Sequence, residues 1–189
     1  MKTHPLVDQV RFTRSEWLRA IEGVSAKDAK KRHGQMNSIG WIVGHLAWQE
    51  QRYFLQRPQG LMPRRDIQTR FTTGGKMSTP ELAETLAAWR EITTAADPFL
   101  DSLTTRQLLR DLPLPSGVRS GQTLGSAMRR LTYHYWFHIG EILAIRQLLR
   151  QRRLPQYVGA IEAQAPYRAE RASARATART RGRASTARG

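Results

Sequence analysis

After Thr123, the apolar residues Leu124, Met128, Leu131, Tyr135, Ile142, Ile145 and Leu149 recur at helical intervals, and the pattern ends before Pro155. This is the period of a long α-helix with one buried face. Thr123 can cap its start. No segment of the chain alternates apolar and polar residues over a length that would suggest strands. The long helix therefore has to bury its stripe against other helices.

Three further patterns supply them. Val7, Val10, Trp17, Leu18 and Ile21 follow Pro5, which suits a first helical position, and predict a helix over Pro5 to Ile21. Asn37 or Ser38 caps a second helix that extends to about Gln56. Ser78, Thr79, Pro80 and Glu81 form a capping-box pattern ahead of Leu82, Leu86, Trp89, Ile92, Ala96, Phe99 and Leu103, with Pro98 expected to kink or interrupt that helix. Between the second and third patterns, Pro58, Gly60, Pro63, Gly74 and Gly75 break up an aperiodic stretch, the least predictable part of the chain. The expected fold is all-α, an antiparallel four-helix bundle with a short C-terminal helical segment.

The chain has 189 residues and carries 31 Lys plus Arg against 15 Asp plus Glu, for a formal charge of +16. Seven arginines and one glutamate lie in residues 168–189, so that segment carries +6 and residues 1–167 carry +10. The segment 168–189 has no large apolar side chain and is expected to be a disordered tail beyond a bundle domain at 1–167. There is no cysteine, which excludes disulfides, thiolate metal sites and a cysteine nucleophile belonging to the protein itself. The N-terminus lacks the apolar core of a signal peptide, and no apolar run is long enough to span a bilayer, so the expectation is a cytoplasmic protein without a membrane segment.

Of five histidines, His134 and His138 stand four apart on the long helix. Imidazoles at that spacing share a face and can converge on one ion, or simply pack and hydrogen-bond. A zinc-protease motif is excluded because Tyr135 occupies the position of the required glutamate. His45 lies inside the apolar segment SIGWIVGHLAWQE. It can supply a third nitrogen if helices two and four are neighbours, or it can be a core histidine bonded to a backbone carbonyl. Gly40 and Gly44 allow something to approach that helix closely.

NSIGWIVGHLAWQE, followed by YHYWFHIGEILAIRQLL and LPQYVGAIEAQAPYR, resembles the DinB-like superfamily of metalloenzymes, four-helix bundles with a histidine triad. The resemblance covers most of residues 1–168 and maps the triad onto His45, His134 and His138. It implies one divalent metal ion, zinc or nickel in the first place and manganese or iron as further candidates. It also implies a thiol-dependent S-transferase using mycothiol or bacillithiol with an electrophilic substrate, and a homodimer. A chain without cysteine suits a chemistry in which the thiol arrives as a cosubstrate.

Around the triad, Gln49 and Glu141 are candidates to orient an imidazole or a bound water. Tyr133, Tyr135, Trp136, Trp41 and Trp48 can line a pocket or belong to the core. Arg52, Arg64, Arg65, Arg70 and Arg130 can hold carboxylates of a cosubstrate. The competing expectation is a basic helical-bundle interaction protein without catalysis, binding polyanions weakly and non-specifically through its arginine-rich tail.

Overall fold

The computed structural model describes residues 3–168, and these are helical without strands. The expected tail, with the polyanion binding assigned to it, lies outside the described residues except for Arg168. That residue is held by the Asp8 carboxylate and the Thr3 carbonyl.

Helix α1 (Pro5–Ile21) is capped by His4, whose Nδ1 accepts from the Leu6 amide at 3.1 Å. A short α2 (Ala26–Ala29) follows, and Ser38 caps α3 (Ile39–Glu50) by accepting from the Trp41 amide. The Ser38 hydroxyl also donates to the Ser78 carbonyl at 2.9 Å. Helix α3 is buried on every side, so its sequence reads as an apolar run rather than a stripe.

The helix continues as a π-turn segment over Gln51–Gln56 and then as α4 (Arg57–Gln59). The Arg57 amide reaches the Arg52 carbonyl in the wider winding. Pro58 has no amide to offer Phe54, and the Gln59 side chain takes over by donating to the Phe54 carbonyl at 2.6 Å. Gly60 ends the element in the left-handed conformation that glycine adopts without strain.

The aperiodic stretch folds into α5 (Arg65–Arg70) and a return segment. Helix α6 (Leu82–Asp101) follows. The expected capping box is not used: α6 begins one residue after Glu81, with no side-chain cap. Residues 78–80 are instead pinned along the start of α3, where the Pro80 carbonyl passes so close to Gly40 that a Cβ there would lie 2.6 Å from it. Pro98 does not interrupt α6. Its missing amide leaves the carbonyl of Thr94 without a helical partner, but Thr94 is exposed and water can serve it.

After α7 (Thr105–Leu108), a loop closes on itself through the Asp111 carboxylate, which accepts from the amides of Ser120 and Gly121, and a Leu112 to Gln122 backbone bond. Arg57 is buried beneath this loop and donates to the Pro113 carbonyl, the Gln122 side chain and the Ser120 hydroxyl. Helix α8 (Leu124–Leu148) begins at the Thr123 cap, as its sequence predicts. A short α9 (Ile161–Gln164) lies in the C-terminal segment, which is tied back to α1 by Tyr157 and Gly159 on Glu16.

Helix α1 packs on α8 and α3 packs on α6, while α3 also touches α8. Between them sit Trp17, Phe54, Ile92, Tyr135 and Ile142, all buried. One polar network crosses this core. Arg14 grips Glu50 with two bonds of 2.8 and 2.7 Å, the Tyr135 hydroxyl donates to Glu50 at 2.9 Å, and Trp89 Nε1 donates to the Tyr135 oxygen at 2.6 Å. Arg14 also reaches Asp97. Residues from α1, α3, α6 and α8 are thereby held in one register, because a bidentate pair tolerates little sliding. Burial and the neighbouring carboxylate push the Tyr135 phenol well above its ordinary pKa, so it remains a donor.

Candidate metal centre

His45 projects from the middle of α3, and His134 and His138 from the middle of α8. The contact between these helices brings one nitrogen of each ring together, all three within 4.8 Å of one another. His134 Nε2 lies 3.0 Å from His45 Nε2 and 3.1 Å from His138 Nε2. Nitrogens sharing an ion at metal–nitrogen distances of 2.0–2.1 Å lie about 3 to 3.4 Å apart, so the spacing suits a common cation.

The far sides of two rings settle which nitrogens face inward. His45 Nδ1 is 2.8 Å from the Phe71 carbonyl oxygen, which can only accept, so the proton sits on Nδ1 and Nε2 carries a lone pair. His138 Nδ1 is 2.8 Å from Glu141 Oε2 and donates in the same way. His134 therefore faces two lone pairs with at most one Nε2 proton. Protein hydrogen bonds alone leave one of these close contacts unsatisfied, and a cation at the centre satisfies all three nitrogens.

Burial pushes the pKa of His45 down to about 4. Burial and the neighbouring His138 take His134 down to about 3. Both rings are thus neutral near pH 7, the state in which imidazole ligates. Trp41 stacks on His45 with 5.0 Å between ring centroids and 11° between planes, and the Trp48 ring is tilted against it at 5.3 Å. These rings keep His45 from turning. Gly44 is what admits Phe71 to this arrangement, since a Cβ there would come within 2.7 Å of the Phe71 ring.

The other candidates separate clearly. Glu141 orients an imidazole, whereas Gln49 makes no hydrogen bond to any of the three. Tyr135 belongs to the core network and Trp136 packs on Phe12 and Tyr157. Tyr133 is exposed and borders the site together with Phe137, whose ring centroid is 5.1 Å from that of His138. Arg52 lies over the Trp48 and Tyr53 rings. Arg64 is engaged by Asp66 and Glu91, and Arg70 by Glu84. Only Arg130 of the five arginines lines the cleft that reaches His134, and Arg129 joins it there.

The sequence reading missed the Phe71 carbonyl, Phe137 and the Arg14–Glu50 pair. A backbone acceptor has no residue-type signature. Glu50 did carry one, as a carboxylate at the end of an otherwise apolar run.

Fold and site together define an all-helical protein with a histidine cluster able to hold a divalent cation. A family model described as the DinB superfamily matches residues 9–142, a span that contains all three histidines. The chain belongs to that superfamily. No curated protein matches it. Among the described residues, no helix is long and apolar enough to cross a membrane.

Proposed function

We propose that His45, His134 and His138 hold one divalent metal ion through their Nε2 atoms, and that the protein is a metal-dependent enzyme joining a small-molecule thiol to an electrophile. The observation that carries the metal reading is the meeting of three Nε2 atoms at 3.0 and 3.1 Å, with the protons of His45 and His138 held away by Phe71 and Glu141. An all-imidazole donor set suits zinc or nickel, and tolerates iron. The pairing of α1 with α8 and of α3 with α6 supports reading the four long helices as an antiparallel four-helix bundle.

A cation bound there supplies a Lewis acid that favours the deprotonated form of a coordinated thiol or water near neutral pH. The chain's own part is to orient. Phe71 and Glu141 fix the tautomers, Trp41 and Trp48 brace His45, and the cleft beside His134 gives a ligand its approach. With no cysteine in the chain, the sulfur of this reaction belongs to the cosubstrate, mycothiol or bacillithiol in our reading.

Elemental analysis of tag-free protein purified without added metal tests the first half. About one ion per chain, lost in His45→Ala and in His134→Ala, is the expected result, and stoichiometric metal surviving both substitutions refutes it. Turnover of mycothiol or bacillithiol with a chromogenic alkyl halide by metal-loaded protein, absent in the same variants, tests the second.

A further inference from the structure

A cleft of about 710 Å³ opens on the solvent side of α8 beside His134, within the size range of small-molecule sites. His134 is the least buried of the three histidines, so a ligand in this cleft meets the cluster at that ring. Two rows of side chains one turn apart lead to it along α8: Arg129, Tyr133 and Phe137 in one, and Arg130, His134 and His138 in the other. Tyr133 and Phe137 are 62% and 67% exposed, on the face of α8 opposite the buried Tyr135 and Ile139. Gln122 also lines the cleft, and Arg57 donates to its side chain.

The cations of this cleft are also uncommitted. Arg11, Arg14, Arg19, Arg64, Arg70 and Arg168 are paired with carboxylates. Arg57 and Arg146 are spent on backbone carbonyls. Among the described residues, neither Arg129 nor Arg130 has an acidic or carbonyl partner; other exposed arginines such as Arg65 and Arg90 share that state, but only Arg129 and Arg130 line this cleft. Two adjacent guanidinium groups without counter-charges, next to two exposed rings, match a molecule with an anionic head and a flat apolar body.

We propose that this cleft binds a small organic anion, its head held by Arg129 and Arg130 and its body laid against Tyr133 and Phe137, so that its far end reaches His134. The proposal rests on the metal reading only for what that far end meets; anion capture itself needs no ion. A carboxylate and a phosphate share the required chemistry. A nucleic acid fits less well, because it calls for a track of cations and the cleft has two within a single pair of turns.

The test is calorimetric titration of the full chain, metal-loaded and chelator-treated, with 2-naphthoate, 2-naphthyl phosphate and neutral 2-naphthalenemethanol. At least one anion should bind roughly tenfold more tightly than the alcohol. That advantage should vanish in Arg129→Ala/Arg130→Ala and in Arg129→Gln/Arg130→Gln, both exposed changes, with metal content and melting temperature unaltered. The tighter of the two anions identifies the head group. Equal binding of the alcohol, or undiminished anion binding by both variants, overturns the proposal. So does an oligothymidylate that binds more tightly than either anion and is lost in the same variants. Elemental analysis of the same samples reads the metal site separately, so anion binding to metal-free protein with no metal uptake would refute the proposed function and leave this inference standing.

Discussion

Gly44 lies beneath the ring of Phe71, so close that a Cβ at residue 44 would be 2.7 Å from both Cδ1 and Cε1. The next residue, His45, donates to the carbonyl of that same Phe71. A helical glycine, costly by itself, is thus the condition for orienting the proposed ligand one position along.

Gly44→Ala should therefore harm the protein despite improving helix propensity. The gain is about 1 kcal/mol in a helix interior, while displacing a fully buried ring costs about 1–3 kcal/mol. We expect a lower midpoint in urea and weaker metal retention against a chromogenic chelator. A variant as stable and as metal-retentive as wild type would show that Phe71 does not depend on this gap.

Glu141→Gln keeps an acceptor for His138 Nδ1 but removes its charge. Outer partners of ligating histidines typically contribute 10–100-fold in metal affinity, so a loss of roughly that size is expected with little change in fold, because Glu141 is only half-buried. Chelator competition measures it. Glu141→Ala should lose more than Glu141→Gln.

Glu50→Ala tests the core network rather than the site. It removes both Glu50 bonds from the buried Arg14 guanidinium and leaves it Asp97 alone, so the loss should approach the lower end of the about 3–5 kcal/mol that removing one partner of a buried pair costs. Tyr135→Phe should cost less, about 1–3 kcal/mol, since it strands only the Trp89 donor and one acceptor site on Glu50. Chemical denaturation of both variants gives the order directly. A larger loss for Tyr135→Phe would contradict this account.

Removing the metal should leave the helices folded. The core of Trp17, Phe54, Ile92, Tyr135 and Ile142 closes without it. Circular dichroism after chelation should be unchanged. The melting temperature should drop, since a ligand at about 100 times its Kd contributes about 2.7 kcal/mol. At this chain length that corresponds to about 2–4 °C for each kcal/mol. Unfolding on chelation would make the site structural.

What the sequence by itself determined was local and periodic. The 3.6-residue pattern and the caps placed α1 from Pro5 to Ile21, and put Thr123 at the head of α8, because backbone bonding and one-sided burial act over a few residues. The i, i+4 spacing put His134 and His138 on one face, and with His45 it carried the family resemblance that the match over residues 9–142 establishes. Ser78 and Glu81 misled, since a capping box describes what a segment can do alone, and here the approach of Pro80 to Gly40 claims the backbone first. Only the tertiary structure decided that the Phe71 carbonyl holds His45, that Glu141 and not Gln49 supports the cluster, and that Arg129 and Arg130 remain unpaired beside it. Each is a contact between residues far apart in the chain or a competition among neighbours for one partner, and such outcomes are set by how whole helices pack.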